Sequence, residues 1–325
     1  MVAGVRKRGV LALRILVSVA LLAGVLLYAD IGEVAQAVRD GHWGWFVAGL
    51  GLMAVAVVLA AFRWWLLLEG AGIHVPARES IRPFAMGFVL NLLLPTAVAG
   101  DAVRTWIVGR ESGRLLGAAA ATLIDKLTAL ICLVIVGWAA YVLDRGSVPD
   151  SVIVAFGWLT VGLVAALALA GLAAAGVRPI LHRLPERGAV MIRESWRIMR
   201  GWAGSPKLVG SVVGLGLVYQ VLVVAVLVLV AKTLGVDLGF ALAAVSAAIV
   251  LVATLVPVSV GGLGIREGGF VILLGQAGID AADATLLSLL SAVTVLLASL
   301  AIVGATYIFD VLGTGPRTAL RRRSA

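Results

Sequence analysis

Charge is scarce in this 325-residue chain: Asp, Glu, Lys and Arg make up 13% of it, about half the share of an ordinary soluble domain. With 62% of residues apolar, too little polar surface remains to cover a water-soluble body of this size, and that class is excluded. Long uncharged apolar runs exclude collagen, coiled coil and disordered polymer as well. Cysteine occurs once, as Cys132 inside an apolar run. An intrachain disulfide is therefore excluded, and no paired-Cys or Cys/His metal spacing exists. The three histidines, His42, His74 and His182, are far apart and outside the apolar runs. They read as solvated or interfacial residues, so no metal and no cofactor are expected. Enzyme signatures are lacking too: no His-Glu-x-x-His, no Gly-x-Ser-x-Gly and no Asp-rich pair. What remains is an all-α polytopic membrane protein, without catalytic residues on this reading.

A helix needs about 20 apolar residues to cross about 30 Å of hydrocarbon. Six runs meet that length: Val10–Tyr28, Trp43–Leu68, Leu115–Leu143, Val152–Ala175, Leu208–Ala231 and Ala284–Phe309. The first follows Arg6, Lys7 and Arg8 but is too long for a signal peptide, so it is read as a retained span. Arg14 inside it and Arg63 near the end of the second are read as snorkelling to the interface. Two further stretches break. Phe84–Leu94 stops at Pro95 and resumes as Ala102–Val108; Phe240–Val256 stops at Pro257 and resumes as Ile265–Leu274. Eleven helical residues reach only about 16 Å, so these are expected to be re-entrant hairpins. A full crossing by 240–256 stays open.

Charge sorts the connections by side. Arg6, Lys7 and Arg8, the seven cations and two acids of Arg178–Lys207, and Arg317, Arg321, Arg322 and Arg323 all fall on one side. The positive-inside rule makes that side the cytoplasm, with both termini there and the protein in the cytoplasmic membrane. The opposite loops hold Asp30, Glu33, Asp40, Asp144, Asp150, Asp280 and Asp283. The net charge of +9 is thus an orientation signal, and nucleic acid is not an expected partner. Residues 176–207 read as a cytoplasmic amphipathic connector, with Arg193, Arg197 and Arg200 on one face, and 313–325 as a basic tail.

The breaks share a spacing. Pro95-x4-Gly100-x3-Arg104 and Pro257-x4-Gly262-x3-Arg266 lie 162 residues apart, half the chain. Pro95 and Pro257 stop the incoming helices. Gly100, Gly261, Gly262 and Gly264 permit the turns and close backbone approach. Each half, about 1–145 and 150–312, holds three crossings and one hairpin. Three is odd, so two inverted repeats within one transmembrane domain are expected, an architecture of many secondary transporters.

Ionisable residues at membrane depth are costly and are functional candidates for that reason. Asp125 and Lys126 lie about ten residues into their span, and each is free to pair with a charge on a hairpin. A structural ion pair locking helices is the rival reading. Asp101 and Arg104 sit at the first hairpin, Arg266 and Glu267 at the second. Asn91, one turn before Pro95, can satisfy groups freed by the break. Arginine holds phosphate bidentately and keeps its charge when desolvated. Helix N-termini add free N–H groups. Asn91, Asp101, Arg104, Asp125, Lys126, Arg266 and Glu267 are therefore the candidate substrate-binding residues, with Arg104 and Arg266 expected to hold a lipid phosphate between the hairpins.

The runs NLLLPTAVAGDAVRTWIVGR (Asn91–Arg110) and PVSVGGLGIREGGFVILL (Pro257–Leu274) resemble the two signature stretches of the lysylphosphatidylglycerol synthase transmembrane-region family. ATLIDKLTAL resembles its third element, with Asp125-Lys126 in place of the usual Glu-Arg. The resemblance covers nearly the whole chain. It implies a flippase-like protein that translocates or binds an anionic or modified (glyco)phospholipid or a polyprenyl-linked glycolipid. It also implies a stand-alone member lacking the soluble aminoacyl-transfer domain, working beside a separately encoded synthase or glycosyltransferase. Two other readings are kept: a membrane enzyme moving a head group or sugar on a lipid carrier, with Asp30, Glu33 and Asp40 as its acids, and a non-catalytic subunit of envelope-lipid assembly.

Overall fold

A computed structural model describes residues 39–94, 99–177, 197–202, 204–254 and 262–312. Its elements are α1 (Trp43–Gly70), α2 (Ala77–Leu93), α3 (Ala99–Glu111), α4 (Leu115–Leu143), α5 (Asp150–Val177), α6 (Pro206–Thr233), α7 (Phe240–Thr254), α8 (Ile265–Gly275) and α9 (Ala281–Val311). A 3-10 turn, Arg145–Ser147, joins α4 to α5. Residues 197–202 are also helical, and no strand occurs among the described residues.

The five long helices follow from their composition. Each of α1, α4, α5, α6 and α9 holds a window apolar and long enough to cross a membrane. At 28 to 31 residues and about 1.5 Å per residue, each exceeds the hydrocarbon thickness. The chain is a multi-pass membrane protein. The N-terminal run Val10–Tyr28, the breaks at Pro95, Pro257 and Gly261, most of the 176–207 connector and the tail from 313 lie outside the described residues.

The short helices depart from expectation in their bounds. α2 begins seven residues before Phe84 and has 17 residues with Pro83 inside it. It is thus about 25 Å long rather than about 16 Å. Its first turns carry Arg78, Glu79 and Arg82, which hid them from a search for apolar runs. α3 begins at Ala99, so Gly100 lies in the first turn of a helix and not in a bend. A Cβ on Gly100 would lie 1.9 Å from the Gly87 carbonyl oxygen. Gly100 therefore serves close approach of α2 and α3. Gly262 and Gly264 have φ of +80° and +81°, a region that suits glycine at a turn. α7 has 15 residues, about 22 Å, up to the point where the described residues end at 254.

Packing repeats along the chain. α2 lies against α3 as α7 lies against α8, and α3 against α4 as α8 against α9. The exchanges run between the sets too: α2 packs on α9 and α7 on α4, while α9 packs on α1 and α4 on α6. α1 and α6 pack on each other. Helix α5 touches this body through α7 and through α4, where Trp138 packs on Phe156 and donates to Thr160. It exposes Val154, Trp158, Val161, Val164, Leu169 and Leu172, side chains suited to lipid.

One buried cluster gathers Leu133, Val136, Val224, Leu274 and Leu287 around the alanine-rich α7, where Ala241, Ala243, Ala244 and Ala248 are buried. Small residues allow helices to approach closely where lipid offers no hydrophobic drive for association. A second cluster gathers Trp64, Leu67, Leu68, Phe84 and Trp202. Ile198 and Trp202 of the connector are therefore packed into protein, while Met199 is exposed.

Candidate functional site

The site begins with the Gly87–Gly100 crossing. Asn91 on α2 accepts a hydrogen bond from the Gly100 N–H through its side-chain oxygen, 2.8 Å, which satisfies a free donor at the start of α3. The next residue of α3 is Asp101, and one turn on stands Arg104. The Arg104 guanidinium lies 4.3 Å from the Phe84 ring centre and 4.9 Å from that of Trp64, a cation–π setting. Trp64 is held by its indole N–H on the Thr122 hydroxyl, 3.1 Å, and Thr105 donates to the same oxygen, 2.8 Å.

Asp125 on α4 joins the helices. Its Oδ1 accepts from Arg63 Nε at 2.8 Å, and Arg63 Nη2 lies 2.7 Å from the same oxygen as an ion pair. Its Oδ2 accepts from Arg104 Nη2 at 3.1 Å. The same Arg104 nitrogen lies 3.0 Å from Asp101 Oδ1, and Lys126 donates to Asp101 Oδ2. Side-chain exposure rises outward along this network: Arg63 2%, Asp125 and Arg104 4%, Asp101 14% and Lys126 36%. Among the described residues, Arg63, Arg104 and Lys126 contact Asp101 and Asp125 in this network. Arg63 Nη1 and Arg104 Nε and Nη1 are buried without a hydrogen-bond partner among the described residues.

Arg63 is a correction. In the sequence it reads as a snorkelling residue near a span end. It lies well inside α1, its guanidinium 5.4 Å from the Tyr219 ring centre on α6. Asp125, 62 residues away, supplies the counter-charge that keeps it inside. Gly216 makes the room: a Cβ there would lie 2.7 Å from Cys132 Sγ and 3.3 Å from Arg63 Nη1. Sequence reasoning missed Arg63, Trp64 and Ser288. The available signal for Arg63 was Asp125 itself, because a mid-span carboxylate demands a partner.

The second cluster is separate. Arg266 donates to Glu267 Oε1 from Nε at 3.1 Å and Nη2 at 2.7 Å. It also donates to the Ser288 hydroxyl at 3.0 Å, which itself donates to Glu267 Oε1 at 3.2 Å. The other Glu267 oxygen accepts from the Gly264 N–H, 2.6 Å. One cation meets one carboxylate, and Glu267 is fully buried. Asp101, Arg104, Asp125 and Lys126 thus come together with Arg63, Asn91 braces the start of their helix, and Arg266 and Glu267 form a network of their own. Pro95, Pro257 and Gly261 lie outside the described residues.

Elsewhere, a shallow cleft of about 270 Å³ is lined by His42, Trp45, Lys232, Gly235, Val236 and Asp237, at the start of α1 and the end of α6. Among the described residues no three His, Cys, Asp or Glu side chains group as metal ligands. Outside the five spanning helices, Glu79 in the first turn of α2 has a carboxyl pushed above its usual range. Burial is the main cause; Arg78 opposes it, and Glu111 and Asp310 add to it.

The sequence model of the family described as "Lysylphosphatidylglycerol synthase TM region" matches residues 13–304. A UPF0104 membrane protein of Methanothermobacter thermautotrophicus is similar over 114 residues at 27% identity, covering 35% of this chain and 34% of that protein. The match thus spans about a third of that relative's length.

Proposed function

We propose a function from one premise: the chain belongs to the lysylphosphatidylglycerol synthase transmembrane-region family. On that premise the protein is a lipid translocator of the cytoplasmic membrane. It receives the phosphate of a phospholipid head group at its buried arginines and passes the lipid between leaflets. The two sets of helices act as inverted repeats, with the broken elements at the centre. Both termini face the cytoplasm, as the basic connections favour.

One observation carries this reading. Arg63 Nη1 and Arg104 Nε and Nη1 are buried without a hydrogen-bond partner among the described residues, on side chains only 2% and 4% exposed. A buried guanidinium N–H without an acceptor is costly unless an anion joins it. Guanidinium suits phosphate, because it keeps its charge and offers paired donors. A purely structural lock would satisfy those donors itself.

The test is native mass spectrometry of protein released from membranes in mild detergent. Retained phospholipid is expected on the parent protein and is expected to be lost from folded Arg104→Gln. Equal retention of phospholipid by both would refute the assignment.

A further inference from the structure

The two hairpins carry matching arginines, yet the groups around them differ. Arg266 is answered one for one. Its partner Glu267 is fully buried and takes hydrogen bonds from Arg266, Ser288 and the Gly264 N–H. Among the described residues those contacts pair one cation with one carboxylate and hold that carboxylate on three sides. At the first hairpin the carboxylates are unequal. Asp125 is buried and gripped by arginines from two other helices. Asp101 stands at the more exposed edge and spans two cations, with one oxygen on Arg104 and the other on Lys126.

The geometry points to Asp101 as a resident counter-ion that a phosphodiester anion displaces, which makes the first hairpin alone the anion site. This rests on the head-group reading above and narrows it. A phosphodiester has two non-bridging oxygens that share one negative charge, so it can bridge Arg104 and Lys126 as the Asp101 carboxylate does. The buried N–H groups of Arg104 that lack a partner give the incoming anion donors that Asp101 does not use. Asp101 lies in the first turn of α3, where the helix dipole favours negative charge from either source. Displacement leaves Arg104 on Asp125, so the helices stay joined while the anion is exchanged. The cost is release of Asp101 from its two cations, and it is lower than for Asp125 because Asp101 is the more exposed of the two, 14% against 4%.

The experiment measures binding of three soluble probes to purified full-length protein in detergent: short-chain phosphatidylglycerol, short-chain diacylglycerol and inorganic phosphate. Parent protein that prefers phosphatidylglycerol over diacylglycerol supports the head-group reading, and equal binding of the two removes it together with this inference. Competition by inorganic phosphate at matching concentration would mean that a free anion, and not a lipid, is the ligand, and would overturn the lipid part of the claim. Given the preference, Asp101→Asn removes the competing carboxylate and is expected to tighten phosphatidylglycerol about tenfold, the scale of one charge-assisted contact. Diacylglycerol binding should not move. Lys126→Gln is expected to weaken phosphatidylglycerol by about the same factor, and it carries the test if Asp101→Asn does not fold. Arg266→Gln is expected to bind normally when folded. Unchanged or weaker binding by folded Asp101→Asn, or unchanged binding by Lys126→Gln, would overturn the displacement while leaving the head-group reading intact. Loss of binding in folded Arg266→Gln would overturn the restriction to the first hairpin.

Discussion

Asp125→Asn is the sharpest test of how the buried network holds the helices. The carboxylate answers two arginines, and they depend on it unequally. Arg104 keeps Asp101 at 3.0 Å. Arg63 keeps the main-chain oxygen of residue 125 at 3.3 Å, and asparagine offers it a dipole in place of a charge. Breaking one side of a buried pair costs about 3–5 kcal/mol, and that is the expected loss of unfolding free energy. Arg63→Met should cost less, because Asp125 then still has Arg104. The double variant removes both ends, so its loss should fall short of the sum of the singles by about 1–3 kcal/mol. Reversible unfolding in mixed detergent micelles measures all four proteins. An Asp125→Asn protein within about 1 kcal/mol of its parent, or strictly additive losses, would refute the reasoning.

Other outcomes follow from single contacts. Gly100→Ala drives a methyl group into the Gly87 carbonyl, so α2 and α3 must separate; the loss should reach the upper part of the overpacking range of about 1–3 kcal/mol. Gly214→Ala, with nothing within 4 Å of the added atom, should be harmless, and equal melting of the two variants would count against the crossing. Glu79 has a raised folded-state pKa, so the folded state holds its proton more firmly than the unfolded state does. Its contribution is present below about pH 4.5 and fades as pH rises through the folded value. Glu79→Gln should therefore gain stability relative to its parent between acid and neutral pH, and a pH-independent difference would contradict that. For topology, Ser147→Cys in a Cys132→Ala background should react with an impermeant thiol reagent on intact cells, and Ser324→Cys should not. Equal reaction of both would contradict the orientation.

Much of this architecture is legible in the sequence because lipid imposes simple demands. A spanning helix must be long and apolar throughout, and the bounds of α4 follow from that demand alone. The charged residues at the breaks stand out for the same reason: an ion at membrane depth is conspicuous. Partnership is less legible. Arg63 and the adjacent Trp64-Trp65 resemble an interfacial belt, yet Trp64 is fully buried and bonded to Thr122. Only the packing of α1 on α4 and α6 reveals this. α2 reads as too short in the sequence because its charged first turns interrupt the apolar pattern. Gly87 gave no local sign of its role, which exists only where α3 crosses it. The matching Pro-Gly-Arg spacing suggested equal roles for Arg104 and Arg266, but Glu267 and Ser288 answer one arginine in a way that Asp101 does not answer the other.

The most direct test of lipid translocation uses proteoliposomes that carry a trace of fluorescent phosphatidylglycerol and receive an impermeant quencher from outside. Vesicles holding the parent protein should lose nearly all fluorescence, because inner-leaflet lipid reaches the quencher. Vesicles holding folded Arg104→Gln should stop near half, as empty vesicles do. Parent-protein vesicles that stop at half, or Arg104→Gln vesicles that empty as completely as the parent, would contradict the account.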